Sequence, residues 1–243
     1  MQNIVFLITA TLTLTTAHST TFTVTNNCNF TIWPATLAGT GTPQLPTTGF
    51  RLDPHQTMTT PAIAGWSGRI WARTACSFDQ TGFGSCLTGD CNGMLECNGT
   101  GATPPATLFE ITLGTRNDND FYDVSVVDGY NLPIVATPTG EVNGSGCSGC
   151  PKELQVSDKN NEGSTIACRS ACDTFGLDEY CCRGEFANPN ACEPSFYSAI
   201  FKRACPKAYS FAFDDGTSTF TCKASDYSIV FCRSTEGYGS FAK

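Results

Sequence analysis

Apolar and polar residues alternate with a period of two at both ends of the chain. Thr21-Phe22-Thr23-Val24-Thr25 alternates and runs into the turn residues Asn26-Asn27. Phe30–Trp33 and Arg69–Arg73 follow, each bounded by Gly or Pro. Leu108–Leu113 and Phe121–Val127 continue the series, and Ser218–Cys222 and Tyr227–Cys232 close it. Short strands separated by turns predict a mainly β fold, an antiparallel sandwich rather than a parallel sheet. Two stretches break the pattern. Residues 76–105 are rich in Gly and Cys and poor in large aliphatics, so their shape must come from cross-links. Residues 147–205 hold the expected helices, about Thr165–Phe175 and Pro194–Ala204, the second with Pro at its start. The expected organisation is a β core (20–75, 106–146 and 206–243) with a small disulfide-rich loop domain (76–105). A helix-containing disulfide-rich domain (147–205) is the second insertion.

The alternation also places the carboxylates. In 108–113, Phe109, Ile111 and Leu113 share a face, which turns Glu110 to the opposite face with Leu108 and Thr112. In 121–127, Tyr122, Val124 and Val126 share a face, which leaves Asp123 with Phe121, Ser125 and Val127. Acidic residues are disfavoured inside strands, so a strand that carries one has either a solvated face or a site.

Composition sets the environment. Fifteen cysteines among 243 residues do not suit a reducing cytosol. Residues 1–19 read as a secretory signal: an apolar run from Ile4 thins into Thr and Ala, and small residues stand at Ala17 and Ser19. That run falls short of the ~20 residues a spanning helix needs, and no second long apolar segment exists, so no integral membrane segment is expected. A net charge of −8 argues against nucleic acid, which rewards clustered Lys and Arg. With His18 in the signal, His55 is the one histidine left, set beside Asp53-Pro54 with no serine triad about it and read as a surface turn residue. Cys147-x-x-Cys150 has zinc-like spacing but lacks a second pair, so neither a metal nor a cofactor is expected. Three sequons, at Asn29, Asn98 and Asn143, are candidate glycosylation sites.

Gly82-Phe-Gly-Ser-Cys86-Leu-Thr-Gly-Asp90-Cys91-Asn-Gly-Met-Leu-Glu-Cys97 resembles the signature of the thaumatin-like proteins, pathogenesis-related family five, which includes the osmotin-like proteins. Trp71–Thr74, Asp123–Pro133, Phe201–Pro206 and Tyr209–Asp215 resemble that family too, so the likeness spans nearly all of 21–232. It implies the bridges Cys28–Cys232, Cys76–Cys86, Cys91–Cys97, Cys150–Cys168, Cys172–Cys181 and Cys182–Cys192. The family's long form has sixteen cysteines. Here one is missing between Pro138 and Cys150, and counting from Pro138 pairs Cys147 with Cys222 and leaves Cys205 as the odd thiol. The alternative, Cys147–Cys205 with Cys222 left over, stays open.

The resemblance further implies that Glu110, Asp123, Asp128 and Asp215 line an acidic inter-domain cleft. The basic residue expected just before Pro104-Pro105 is replaced by Thr103, which should leave the cleft more negative and raise a carboxylate pKa. The implied function is that of a secreted, monomeric, antifungal defence protein of the apoplast or cell wall. It would bind β-1,3-glucan or another cell-wall polysaccharide, with Phe121, Tyr130 or Phe213 available to stack on sugar rings. Two alternatives follow from the same family: a weak endo-β-1,3-glucanase with Glu110 as acid and Asp123 as base or nucleophile, or an inhibitor or binder of a pathogen protein.

Overall fold

The computed structural model describes residues 19–115, 118–138, 143–145, 150–158, 164–224 and 226–233. The expected signal segment, apart from Ser19, and Cys147 lie outside them. Four strands open the chain: β1 (Ser19–Asn26), β2 (Ile32–Ala38), β3 (Thr57–Ile63) and β4 (Ser67–Thr74). The loop insertion carries the short β5 (Ser77–Phe78) and β6 (Gly84–Ser85). The core resumes with β7 (Leu108–Thr112), β8 (Asp120–Ser125), β9 (Ile134–Pro138) and β10 (Asn143–Ser145). The second insertion holds β11 (Gln155–Ser157), β12 (Thr165–Cys168), α1 (Ala171–Phe175), α2 (Asp178–Cys181) and α3 (Phe196–Ala204). The chain then runs through α4 (Asp215–Ser218), β13 (Phe220–Cys222) and β14 (Asp226–Phe231).

Two five-stranded sheets form the core, in the orders β10-β9-β14-β1-β3 and β13-β8-β7-β4-β2. β2 and β3 are edge strands, so Pro34 and Pro61 sit where a missing N–H breaks no ladder. Each sheet turns one face inward, as the alternation requires. Phe22 and Val24 of β1 and Ile229 and Phe231 of β14 meet Ile70, Phe109, Ile111, Tyr122 and Val124 of the second sheet, all buried. Burying one large apolar side chain stabilises by roughly 1.5–3 kcal/mol, so this face fixes the register of both sheets. The pairing is antiparallel apart from β1–β14, which runs parallel. Cys28–Cys232 staples that pair two residues beyond Asn26 and one beyond Phe231.

The outer face of the second sheet is covered at one end by the loop insertion. Trp71 and Leu108 pack there with Cys91, Cys97 and Ala106. The insertion is organised around a fully buried cation. Arg73 donates to the carbonyls of Trp33 (3.0 Å), Met94 (2.6 Å) and Leu95 (2.8 Å). Asn131 adds a second anchor by donating to Ala72 O and Thr88 Oγ1 at 2.8 and 2.9 Å. Cys76–Cys86 and Cys91–Cys97 close the insertion covalently.

Four expectations change. Thr165–Cys168 is a strand, and the helix begins only at Ala171, after Ser170 Oγ accepts from the Asp173 N–H at 3.0 Å. α3 begins after Ser195, whose Oγ accepts from the Ser198 N–H, so serine rather than Pro194 sets its start. Ser218 closes the helical turn α4, so the strand expected over Ser218–Cys222 begins only at Phe220. Cys205 is disulfide-bonded and Cys222 is not, which corrects both the odd thiol expected at Cys205 and the disulfide expected at Cys222; Cys147 lies outside the described residues. Cys205 ends α3 in the core with no exposed surface, whereas Cys222 Sγ lies 2.9 Å from the Tyr227 hydroxyl. Cys150–Cys168, Cys172–Cys181 and Cys182–Cys192 tie the second insertion together.

Candidate functional site

The uncovered end of the outer face is a groove of about 420 Å³. Its floor is a row of three side chains on three adjacent strands. Arg69 of β4 stands opposite Glu110 of β7, and Glu110 stands opposite Asp123 of β8. Strands lie about 4.8 Å apart, so the row is ~10 Å wide. Arg69 Nε approaches Glu110 Oε1 at 3.6 Å. Leu37, Ala38 and Gly39 line one side, and Tyr209, Asp215 and Thr219 line the other. Phe121, 52% exposed, stands on the rim.

The far wall is held by two sets of bonds. Val126 N–H donates to Tyr209 O and Tyr209 N–H to Val124 O, both at 2.9 Å, which adds residue 209 to the edge of β8. Lys202 of α3 donates to Ala208 O (3.1 Å), Asp214 Oδ2 (3.0 Å) and Ser218 Oγ (2.6 Å), fastening the whole 208–218 turn to the second insertion. Tyr209 then presents its hydroxyl to Asp215 Oδ1 at 2.8 Å and to Thr219 Oγ1.

The charges are poised. Burial first, then the neighbouring Glu110 and Asp215 charges, push the Asp123 carboxyl up to about 8. Its Oδ1 is buried with no hydrogen-bond partner among the described residues, an arrangement that costs free energy. Glu110 is also raised by burial, with Arg69 opposing and Asp128 adding to the rise. Asp128 lies at an exposed turn, yet the protein mass around its carboxyl desolvates it and raises its pKa, with Arg69 opposing and Asp173 adding to the rise. Gly129 makes that turn possible. Its φ is +81°, and a Cβ there would stand 2.3 Å from Cys168 O.

Glu110, Asp123 and Asp215 therefore share the groove, while Asp128 reaches it through charge. Arg69 and Tyr209 belong to the site and were not among the expected residues. The cation expected at 103 is supplied by Arg69, so the groove is not purely acidic, and Thr103 is an exposed loop residue whose N–H donates to Asp90 O. Of the three candidate stacking rings, Phe121 lines the groove. Tyr130 is buried against Phe201 at 5.3 Å, and Phe213 does not line it. Asn29 and Asn98 are exposed, and His55 is exposed in a turn at φ +64°.

A two-sheet β fold with two disulfide-rich insertions and a charged groove on the outer face of one sheet defines the class. The chain belongs to the thaumatin family, whose model matches residues 26–233. It is similar to pathogenesis-related thaumatin-like protein 3.5 of Cryptomeria japonica, with 50% identity over 227 residues covering 90% of this chain and 92% of that one. It is also 51% identical over 222 residues to pathogenesis-related protein 5 of Arabidopsis thaliana, covering 88% and 90% of the two chains. Among solved structures it aligns with a thaumatin-like xylanase inhibitor at 25% identity and a TM-score of 0.47, over 87% of this chain and 99% of that one. The disulfides and the two pathogenesis-related relatives point to an extracellular or secreted protein. No helix among the described residues is long and apolar enough to cross a membrane.

Proposed function

We propose that the protein is a secreted plant-type defence protein of the apoplast or cell wall, and that its groove binds fungal β-1,3-glucan. The observation that carries this is the row Arg69–Glu110–Asp123 along the floor of an open groove. A sugar hydroxyl can donate to the Glu110 carboxylate, Arg69 and Tyr209 offer further polar contacts, and the Phe121 ring offers an apolar face at the rim. The test is co-sedimentation with insoluble β-1,3-glucan. Retention well above that of serum albumin, reduced in Asp123→Ala, is expected. Retention no greater than albumin's refutes the reading.

A second reading, a weak endo-β-1,3-glucanase, is favoured by one observation: two carboxyls stand directly opposite each other and one is held protonated near neutral pH. That makes Asp123 the better proton donor and Glu110, with Arg69 beside it, the better carboxylate, the reverse of the order assigned from sequence. Release of reducing sugar from laminarin, abolished in both Glu110→Gln and Asp123→Asn, supports catalysis. Glucan binding without release leaves a binding protein.

A further inference from the structure

A second surface with ligand-binding character lies outside the groove, on the helical insertion. Phe175 closes α1, Tyr180 belongs to α2, and Phe196 and Tyr197 open α3. Their rings form a connected cluster, with centroids 5.4–5.8 Å apart from Phe175 to Tyr180 and Tyr197, from Tyr180 to Tyr197, and from Tyr197 to Phe196. Leu177 stands beside them in sequence. Phe175, Leu177 and Phe196 are 39%, 50% and 70% exposed. Tyr197 packs against the core, but the exposed parts of Phe175, Leu177 and Phe196 bury nothing, and exposed apolar surface of this kind marks a contact. Cys172–Cys181 and Cys182–Cys192 pin the segment that carries Phe175 and Tyr180, so ordering these rings on binding costs little.

Charge decides what can cover it. Tyr197 donates to Glu153 at 3.0 Å, and Asp173, Asp178 and Glu179 stand on the same helices, against Arg169 and Arg183. With a net charge of −8 on the chain, an anionic bilayer is repelled, and a second copy would bring the same acidic rim against itself. A neutral ligand with flat apolar faces and a hydroxyl edge escapes both penalties, and a pyranose ring is such a ligand. Tyr180 and Tyr197 line one small cavity with Val127, the chain neighbour of Asp128, so the rings stand on the side of the insertion where Asp128 faces the groove's charges.

We propose that Phe175, Leu177, Tyr180, Phe196 and Tyr197 form a second glucan contact, a platform on which the pyranose rings of a chain longer than the groove stack. The inference takes its ligand from the β-1,3-glucan reading above. Two contacts on one polymer multiply, because the second forms at high effective concentration once the first is made.

The test compares the wild-type chain with Phe175→Ala/Phe196→Ala and with the groove variant Glu110→Gln/Asp123→Asn. Each is measured on insoluble β-1,3-glucan and, by calorimetry, on a β-1,3-linked hexasaccharide. The platform variant should hold the polymer about tenfold more weakly, two aromatic contacts' worth, with hexasaccharide binding unchanged. The groove variant should lose the hexasaccharide. Polymer retention equal to wild type in the platform variant overturns the platform, whatever the groove variant does. A platform effect without a groove effect overturns the groove reading instead, and a wild type that binds neither sugar overturns both. Phe175→Tyr/Phe196→Tyr keeps the rings and should retain the polymer. Loss in that variant too would mean altered packing, and a wild-type dimer abolished by the alanine variant would mean a self-contact; either refutes the proposal.

Discussion

Replacing Asp123 by asparagine should change how the fold responds to pH, and the sign follows from the groove. In the folded protein the Asp123 carboxyl holds its proton up to about pH 8, against an ordinary value of 3.8. The unfolded chain releases that proton near pH 4. Between those limits the folded state binds more protons, so stability is full below about pH 4 and is lost as pH rises through 8. At ~1.4 kcal/mol per pH unit, the folded state loses roughly 4 kcal/mol relative to the unfolded chain between about pH 4 and pH 7. Asp123 is only partly buried, and solvent reaching the groove should reduce the observable share to about 2 kcal/mol. Asparagine keeps the shape and has no proton to lose. Guanidinium unfolding with the disulfides intact, from pH 4 to pH 8.5, should show wild type losing about 2 kcal/mol relative to Asp123→Asn across the window. Parallel curves, within about 0.5 kcal/mol at every pH, would refute the argument that burial and the neighbouring carboxylates hold the proton there.

Arg69→Gln removes the cation beside Glu110 and should move the Glu110 and Asp128 carboxyls further up, seen as later titration of their carboxyl carbons by NMR. Arg73→Met leaves three buried carbonyls without their donor and should cost on the order of 3 kcal/mol, with proteolysis concentrated in 76–105. Lys202→Met strips the partner from a largely buried Asp214 and should cost about 3 kcal/mol. Hydrogen exchange in that variant should quicken at 208–219, the groove's far wall.

The two faces of β7 and β8 were legible because alternation depends on neighbours in the chain: Phe109 and Ile111 going in forces Glu110 out. That Glu110 would stand opposite Asp123, 13 residues on, and Arg69 opposite Glu110, 41 residues on, depends on register between strands, which the alternation within one strand does not carry. Arg69 sat in plain view within a strand and went unassigned for that reason. The start of α1 was readable in retrospect. Ser170, three residues before Asp173, is a helix-start pattern, and the β-branched Thr165 and Ile166 favour the strand that precedes it. The pairing of Cys205 was beyond counting, since it turns on where the end of α3 packs. The parallel β1–β14 pair joins opposite ends of the chain, so nothing local could announce it.

That pairing has a mechanical consequence. Strands 200 residues apart in sequence are slow to meet, because a long loop must close before any contact rewards it. Once they have met, the Cys28–Cys232 bond makes the body of the protein a covalent ring. A pull applied beyond residues 28 and 232 is carried by sulfur rather than by the hydrogen bonds of the sheet. The protein could therefore be tethered by either end, to a surface or to a fused neighbour, without the load reaching Arg69, Glu110 and Asp123.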